Sequence, residues 1–410
     1  MKFNECTMED ALEEIIDYRG KTPKKADSGI PTLSAKSVKN NRIDYSMCYY
    51  ISPDEYKKFM VRGFPKVGDV LLTTEAPMGM VARLDRDDIA IAQRLLTLRG
   101  KQGVLDNDYL LYFLQSPIGQ SLLKARETGT TVTGIKQAEF RKIQIRIPEI
   151  SVQKKIGSFL RILDKKIELN NAINENLTEQ IRTLCDAWLN EYVPFGGVCP
   201  DDWELTPLAS FAHFISGYSY KGSELQTSSI AMATIKNFDR KGGFKLDGYK
   251  EIIPSSKLKP EHHAELFDTL VAHTDLTQNA EVIGNAEPIL SFSGYDDIIF
   301  SMDVVKVIPD NPAISKFLIA AMLQTRQFKA HCLGYVNGTT VLHLSKKALP
   351  EYSLMLPHDF TVLQPLDDAV SSMYQRMALN IDESVQLATL RDSLLPKLMS
   401  GEIDVSTLDL

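Results

Sequence analysis

The chain contains one sequence pattern twice, in copies that are offset by 209 positions. The tetrapeptide Gly-Thr-Thr-Val at residues 129–132 recurs at residues 338–341, and Pro148 corresponds to Pro357. Apolar residues alternate with other residues before each of these prolines, which predicts a strand that stops there. A long stretch with helical spacing of apolar residues follows each proline. We therefore expect two similar globular domains, each followed by a helix.

The predicted fold class is α+β. In the first copy, strand-like runs such as residues 69–74 surround one helix over residues 110–123, which has an N-cap at residues 106–108. In the second copy, residues 267–272 and 317–328 take the same places. A length of 410 residues suits two domains with substantial cores. We predict a first domain at residues 1–150, a central helix at 151–192, a second domain at 193–360, and a C-terminal helix and tail at 361–410.

The two helical segments have the pattern of a coiled coil, because their apolar residues are spaced alternately four and three positions apart. A helix of about 38 residues is about 57 Å long, which exceeds the width of one domain. Asn170 and Asn380 interrupt the two seams at matching depth. Since each helix has the other as a partner, an antiparallel pair is favoured over helices that pack on their own domains. The predicted seam residues are Ile156, Leu160, Leu163, Ile167, Asn170, Leu177, Ile181, Leu184, Val370, Met373, Met377, Asn380, Leu387 and Leu394.

The composition is that of a soluble globular protein, with 44% hydrophobic and 24% charged residues. Apolar runs such as residues 317–323 are far shorter than the roughly 20 residues that a bilayer span requires. The first residues contain no apolar signal core, so we expect a cytoplasmic protein without membrane association. The five cysteines are widely spaced and form no CxxC pair, which indicates neither a disulfide framework nor a zinc site.

Motifs of catalysis are missing from the sequence. Residues 20–22 resemble the end of a phosphate-binding loop, but Ile15 stands where that motif requires glycine. Residues 310–313 lack the second proline and the aromatic residue of an adenine methyltransferase motif. His262 and His263 have no accompanying ligand pattern. The sequence therefore predicts no catalytic residue and no metal site.

Polar loops that could contact nucleic acid occur in both copies. Residues 18–21 pair with 218–222, and residues 36–40 pair with 233–237. Lysine and arginine neutralise phosphates, while asparagine and arginine can read base edges. The formal net charge of −7 argues against a DNA-binding protein that acts without partners. The candidate DNA contacts are Arg19, Lys21, Lys36, Lys39, Arg42, Thr130, Thr131 and Lys136 in the first copy, and Tyr218, Tyr220, Lys221, Lys236, Asn237, Thr339, Thr340 and Lys346 in the second.

The sequence resembles the specificity subunit of Type I restriction-modification enzymes. Residues 129–136, the strand that ends at residues 147–149 and the helix that starts near residues 153–156 carry the resemblance in the first copy, and residues 390–403 resemble the closing signature of that family. The resemblance implies two target-recognition domains separated by an antiparallel coiled coil of the two helices. Each domain would read one half of a bipartite, asymmetric site in double-stranded DNA.

The same resemblance implies a chain that is not an enzyme and binds no cofactor itself. Two modification subunits would dock on the helices and methylate adenine at N6 with S-adenosylmethionine. Restriction subunits, which are motor nucleases, would join for cleavage and would bring the sites for ATP and Mg²⁺. Partners of this kind could share the phosphate contacts, which would reconcile DNA binding with an acidic chain.

Two other functions remain open from the residues alone. A coiled-coil adaptor with two protein-binding heads would have the same architecture, and its binding would depend less steeply on salt than that of a DNA reader. An enzyme with unfamiliar motifs, such as a nuclease, would cleave DNA as a purified chain in the presence of metal.

Overall fold

The computed structural model describes residues 2–129, 133–277 and 279–407. The chain divides into two compact units: unit 1 comprises Met1–Ile167 and Gln386–Leu410, and unit 2 comprises Glu168–Val385. The predicted α+β fold class is confirmed. Both division points lie inside the long helices, whereas the sequence pattern placed domain boundaries at helix ends, and those boundaries stay a prediction.

Unit 1 contains two four-stranded sheets. The first is antiparallel, and its strands lie in the order Leu12–Asp17, Leu95–Gly100, Val70–Thr73 and Val81–Arg83. The second has the order Ala90–Ile91, Ile30–Leu33, Tyr49–Ile51 and Lys25–Ala26, and its first two strands are parallel. Two strand pairs complete the unit, Phe3–Thr7 with Gln144–Pro148 and Val38–Lys39 with Arg42–Ile43.

The helices of unit 1 correct one sequence prediction. Instead of one helix over residues 110–123, two helices occur, with a break at Ser116. The residue before a proline avoids the helical region, and Ser116 precedes Pro117 in extended backbone. Its hydroxyl then caps the next helix by accepting a hydrogen bond from the amide of Gly119, at 3.1 Å. Apart from the two long helices, the helices of unit 1 are Met8–Ala11, Pro53–Phe59, Asn107–Gln115, Pro117–Ala125 and Gln137–Arg141, with 3-10 turns at Ala35–Ser37 and Tyr45–Met47.

Unit 2 repeats the strand order of the first sheet of unit 1 and three neighbouring strands of its second sheet, while the fourth strand of that sheet lies at the opposite edge. Its antiparallel sheet has the order Ala212–Ser216, Val304–Pro309, Thr269–Ala272 and Ala286–Pro288. Its second sheet has the order Lys250–Glu251, Ile230–Ala233, Asp297–Phe300 and His263–Ala264, again with one parallel pair. Trp203–Pro207 pairs with Ser353–Pro357, and Thr274–Asp275, Leu342–Leu344 and Val336–Asn337 form a small sheet. The duplication that the sequence predicts is thus present in the fold.

The helix predicted over residues 317–328 of unit 2 is also interrupted, here at Gln324 and Thr325. The hydroxyl of Thr325 caps the second helix at 3.3 Å from the amide of Phe328. The short helices are Lys316–Leu323, Arg326–Leu333 and Ala348–Glu351. The 3-10 turns are Val193–Phe195, Leu208–Ser210, Gly222–Glu224, Ile235–Asn237, Leu246–Gly248, Pro260–His262 and Phe360–Leu363.

Two long helices follow the two prolines, as predicted. The central helix is Ile150–Leu189 and the C-terminal helix is Gln364–Ser400. In unit 1 the start of the central helix packs against the end of the C-terminal helix, because Ile156 and Leu160 share a buried cluster with Leu395. The two segments are therefore antiparallel within unit 1.

The antiparallel arrangement also holds inside unit 2. The side-chain amide of Asn170 donates to the carbonyl of Asn380 at 3.2 Å and to the hydroxyl of Ser384 at 3.2 Å. Further along, the side-chain amide of Asn174 donates to the carbonyl of Met377 at 3.1 Å. Residue numbers rise on one helix as they fall on the other. The asparagines that interrupt the predicted seam therefore contact each other's helix.

The predicted seam residues differ in burial. The structure buries Ile156, Leu160, Leu163, Asn170, Ile181, Val370, Met377 and Asn380, and it half-buries Ile167, Leu177, Leu184, Met373, Leu387 and Leu394. Where a seam position is only half-buried, the next residue is often buried instead, as at Cys185, Tyr374 and Leu395. An α-helix with 3.6 residues per turn drifts by about 20° per heptad from a strict 3.5 repeat, which accounts for the shift.

Candidate nucleic-acid interface

An exposed lysine lies on an equivalent turn in both units. In unit 1 the 3-10 turn Ala35–Ser37 exposes Lys36, and in unit 2 the turn Ile235–Asn237 exposes Lys236. Each turn directly follows an inner strand of the second sheet. The buried strand therefore fixes the position of the lysine.

This equivalence revises the alignment that the sequence suggested. The sequence comparison paired residues 36–40 with 233–237, whereas the fold pairs Lys36 with Lys236, at an offset of 200. The offset grows to 209 by Gln115 and Gln324, since extra residues lie between the two points in the second copy.

A short basic hairpin follows the turn in unit 1. Its strands Val38–Lys39 and Arg42–Ile43 pair so that Lys39 lies directly opposite Arg42, and both side chains are exposed. Asn41 has a positive φ of 63°, which the tight turn requires and asparagine tolerates. The hairpin places two cations on one short edge of unit 1.

The hairpin is fastened to the helix Asn107–Gln115. The amide of Asn41 donates to the carbonyl of Val81 at 3.0 Å. The side chain of Gln115 donates to the side-chain oxygen of Asn41 and, at 3.4 Å, to the carbonyl of Val81. A polar contact to a core helix therefore limits the movement of the cations.

A second group of charges lies around Glu75. Its carboxylate is 2.7 Å from Arg94 and 3.9 Å from Arg19. Arg19 also donates to the carbonyl of Ile135 at 3.5 Å, which brings it beside the exposed Lys136. The fold thus gathers Arg19 and Lys136, which are far apart in sequence, and adds Arg94, which sequence reasoning missed.

The remaining predicted contacts of unit 1 are of two kinds. Lys21 is exposed and follows the strand Leu12–Asp17 after a short turn. Thr130 and Thr131 lie outside the described residues. Gly129, just before them, has a φ of 110°, which favours glycine.

The repeated glycine of unit 2 adopts the same conformation. Gly338 also has a φ of 110°, and a Cβ placed there would come within 2.2 Å of the carbonyl oxygen of Val341. The loop therefore needs glycine at this position. Beyond it, Thr339, Thr340 and Lys346 are exposed.

Tyr218 has a different role from the one that the sequence suggested. It is 1% exposed, and its hydroxyl donates to Glu224 at 2.6 Å and lies 2.9 Å from the hydroxyl of Ser255. The hydrogen bond from Tyr218, together with backbone amides, lowers the pKa of Glu224 to about 2. Tyr218 therefore holds the loop in place and does not present its hydroxyl to a ligand.

Asn237 is likewise a buried residue that supports a loop. Its side-chain oxygen accepts from the amide of Thr234 at 2.9 Å, and its side-chain amide donates to the carbonyl of Lys245 at 2.8 Å. These bonds close the turn that exposes Lys236. We therefore remove Tyr218 and Asn237 from the set of candidate contacts.

Tyr220 and Lys221 are better placed than Tyr218. Tyr220 is half-buried, and the ammonium group of Lys250 lies 5.9 Å from the centre of its ring. The side chain of Lys221 is exposed, while its amide donates to Glu224. Both residues therefore keep surface that a ligand can reach.

The fold also exposes cations that sequence reasoning passed over. In unit 2, Arg240 and Lys241 lie in the loop between Phe238 and Phe244, which bridge to each other. This loop stands where unit 1 has its basic hairpin. The pair of glycines that follows Lys241 was a sequence signal for a tight basic turn.

The described part of the chain contains neither a metal-binding group of side chains nor a helix that could cross a bilayer. Among residues 2–129, 133–277 and 279–407, no group of three or more histidine, cysteine, aspartate or glutamate residues is arranged to hold a metal ion. Within the same ranges, no helix has the length and apolar character needed to cross a bilayer.

A family model and several known proteins match this chain. Residues 7–179 match the model of the Type I restriction modification DNA specificity domain. The chain is 23% identical over 407 residues to the Type I restriction enzyme MjaIX specificity subunit of Methanocaldococcus jannaschii, with 92% of this chain and 88% of that protein covered. It is 21% identical over 416 residues to the Type I restriction enzyme HindI specificity subunit of Haemophilus influenzae, with 82% and 87% covered.

A solved structure resembles the fold. The crystal structure of a Type I restriction-modification S subunit from M. genitalium matches with a TM-score of 0.57 and 16% sequence identity, and the match covers 97% of this chain and 96% of that one. The resemblance therefore extends over both copies of the repeat.

Proposed function

We propose that the chain is a specificity subunit of the Type I restriction-modification family and that it selects the DNA sequence on which a Type I complex acts. Each copy of the repeat would read one half of a bipartite target. Because the two copies differ in sequence, the two half-sites are expected to differ as well. The observation that carries the proposal is the duplicated strand order, with an exposed lysine on the same turn in each copy.

Lysines and arginines would supply affinity through the phosphates, and polar loop residues would read base edges in the major groove. Phosphate contacts fix the position of a protein on the duplex, while base contacts give specificity. The proposed contacts are Arg19, Lys21, Lys36, Lys39, Arg42, Thr130, Thr131 and Lys136 in the first copy, and Tyr220, Lys221, Lys236, Thr339, Thr340 and Lys346 in the second.

The chemistry would belong to partner subunits in the cytoplasm. Two modification subunits would dock on the long helices and transfer a methyl group from S-adenosylmethionine to adenine N6. Restriction subunits would use ATP and Mg²⁺ for translocation and cleavage. This chain would contribute recognition and assembly without catalysis. With a formal net charge of −7, it is expected to bind DNA weakly on its own.

Mapping of methylated adenines tests the proposal. The chain is expressed with its modification partners in a host that lacks other adenine methylation, and the methylated positions are sequenced. We expect one recurrent motif made of two unlike base groups with a spacer of fixed length. A contiguous motif, or methylation that does not depend on this chain, would contradict the proposal.

Single-copy variants sharpen the test. Lys36→Ala together with Lys39→Ala should weaken binding of the assembled complex to DNA, and so should Lys236→Ala together with Lys221→Ala. As the salt concentration rises, the affinity for DNA should fall more steeply in the wild type than in either variant. Each phosphate contact that a variant loses lowers the salt dependence of its binding. Binding that is insensitive to salt would instead favour an adaptor for proteins.

A further inference from the structure

Unit 2 contains a cavity of about 440 Å³ with a strongly cationic wall. It is bounded by the loop at residues 240–242, by the start of the strand Ala286–Pro288 and by the helix Arg326–Leu333. The cations that line it are Arg182, Arg240, Lys241, Arg326 and Lys329. On a chain with a formal net charge of −7, such a concentration of positive charge requires an explanation.

Two of these cations are already neutralised or engaged. The guanidinium of Arg240 lies 3.1 Å from the carboxylate of Glu281. The ammonium group of Lys329 donates to the carbonyl of Glu281 at 3.0 Å and to the side chain of Asn285 at 2.8 Å. These two residues therefore shape the cavity more than they offer charge to a ligand.

The other three cations have charge to offer. Arg182 lies 3.9 Å from Glu179 on the same helix, and its charge also acts on the carboxylate of Glu287. For Lys241 and Arg326, no carboxylate lies within 4.0 Å in the part of the chain that the structure describes, and both side chains are exposed. Surface cations are usually solvated, but here three of them converge on one concavity.

One acidic residue, Glu287, lies in the wall and reduces its positive charge only in part. Glu287 is 5% exposed, and its carboxylate accepts from the amide of Gly243 at 2.6 Å and from the side chain of Gln324 at 2.7 Å. Burial raises the pKa of Glu287 to about 7. Near neutral pH this residue is therefore partly protonated, and its oxygens are occupied by neutral donors.

The loop has the geometry that a close anion contact needs. Gly242 and Gly243 have φ values of 92° and 104°, which favour glycine. A Cβ on Gly242 would lie 2.9 Å from a guanidinium nitrogen of Arg182, so the backbone passes directly against that group. Glycine thus lets the loop and Arg182 share one side of the cavity.

We propose that this cavity binds a phosphate group, and, resting on the proposed function, that the phosphate belongs to the backbone of bound DNA. Guanidinium groups suit the geometry of phosphate oxygens, and Lys241 adds a mobile point charge. The location supports DNA as the source, because the loop with Lys241 takes the place of the basic hairpin of unit 1. The contact would fix the position of unit 2 on the duplex without reading bases.

The test uses the chain assembled with its modification subunits. Lys241→Ala together with Arg326→Ala removes two exposed cations whose side chains form no hydrogen bond to other described residues. Binding to a target duplex and to a scrambled duplex is measured over a range of salt concentrations. We expect a loss of about tenfold for both duplexes, and a salt slope that is smaller by about 2, since each contact contributes about 0.9.

The matched control removes the same charge elsewhere in unit 2. Lys257→Ala together with Lys259→Ala changes two exposed cations that neither line the cavity nor lie on the long helices. Chromatography of the assembled complex and thermal unfolding verify that both double variants fold and assemble. The control should keep the salt slope of the wild type.

The possible outcomes separate the inference from the proposed function. If the wild type prefers its target duplex but the cavity variant binds like the wild type, the inference is wrong and the proposed function stands. If the wild type binds neither duplex, both are wrong.

Isothermal titration of the free chain with inorganic phosphate and pyrophosphate distinguishes the source of the phosphate group. Tight binding of either compound, lost in the cavity variant while DNA binding is kept, would assign the site to a small phosphate compound and overturn the DNA assignment.

Discussion

Two buried side chains and one partly buried arginine connect a short helix of unit 1 to the long helices. The hydroxyl of Tyr112 donates to one oxygen of Asp164 at 2.5 Å, and Arg391 donates to the other at 2.5 Å. Burial and the neighbouring carboxylate raise the pKa of Tyr112 well above its usual value, so it stays a hydrogen-bond donor. The triad joins a short helix to both long helices within unit 1.

Removal of the central carboxylate should destabilise the protein. Asp164→Ala leaves the charge of Arg391 partly buried without its main partner, which should lower the free energy of unfolding by about 3 kcal/mol. Urea unfolding at neutral pH measures the change. Asp392→Ala is the matched control, because Asp392 also lies 2.8 Å from Arg391 but is exposed, and it should cost only about 0.5 kcal/mol. If Asp164→Ala and Asp392→Ala lowered the free energy of unfolding equally, the triad would stabilise the protein no more than an exposed ion pair does.

Glu287 should make stability depend on pH. Burial raises its pKa from the usual 4.5 to about 7, so the folded chain holds a proton that the unfolded chain has lost. Stability contributed by this group is therefore complete below about pH 4.5 and falls as pH rises toward 7. Glu287→Gln should resemble the wild type at low pH and exceed its stability above pH 7, by at most about 3 kcal/mol.

Unfolding in urea across this pH range is the measurement for Glu287→Gln. A difference between Glu287→Gln and the wild type that is the same at every pH would contradict an ionisation that burial disfavours.

At the level of elements, the asparagines of the long helices lower the stability of the helix pair and fix its register. The side-chain oxygen of Asn170 is buried without a hydrogen-bond partner among the described residues, while the side-chain amide of Asn380 donates to the side chain of Asn174 at 2.8 Å. An unsatisfied buried acceptor costs about 1 to 3 kcal/mol. Polar seam residues of this kind specify alignment between helices.

Asn170→Leu together with Asn380→Leu should therefore raise the melting temperature and loosen the alignment. Alignment is measured by disulfide formation between cysteines introduced at Asn174 and Met377, whose positions are in contact across the pair. In the leucine variant, cysteine pairs placed one helical turn out of this register should also form disulfides. The exposed Asn171→Leu is the control for hydrophobicity alone. An unchanged melting temperature with an unchanged cross-link pattern would speak against this role.

Elements with a strong repeating pattern could be predicted from sequence, and contacts could not. The strands that end at Pro148 and Pro357 and both long helices occur as predicted, since local periodicity decides them. The break at Ser116 was missed because apolar spacing outweighed the proline signal. The buried state of Tyr218 depends on Ser255, which is distant in sequence, so no local pattern reveals it. Arg94 joins Arg19 only through folding.

For the whole molecule, helix length is expected to set the spacing of the DNA half-sites. Deleting residues 168–174 and 377–383 removes one heptad from each long helix, which shortens both by about 10 Å. The two deleted segments face each other in the antiparallel pair, because Asn170 bonds to Asn380 and Asn380 bonds to Asn174. Deleting both segments therefore keeps the remaining positions of the two helices in register. Methylation mapping should then reveal a changed spacer with the same half-sites. The full-length Asn170→Leu, Asn380→Leu variant is the control, and an identical spacer in the shortened chain would contradict the expectation.

Unit 1 is assembled from two stretches that are far apart in the sequence, residues 1–167 and 386–410. Leu395, Leu398, Met399 and Val405 contribute to the same buried cluster as Leu110 and Ile156. A ribosome makes residues 1–167 first, then all of unit 2, and only then the segment that covers this cluster. The apolar residues of this cluster that lie in residues 1–167 therefore stay partly exposed to solvent until the covering segment is made, and chaperones can bind them in the meantime.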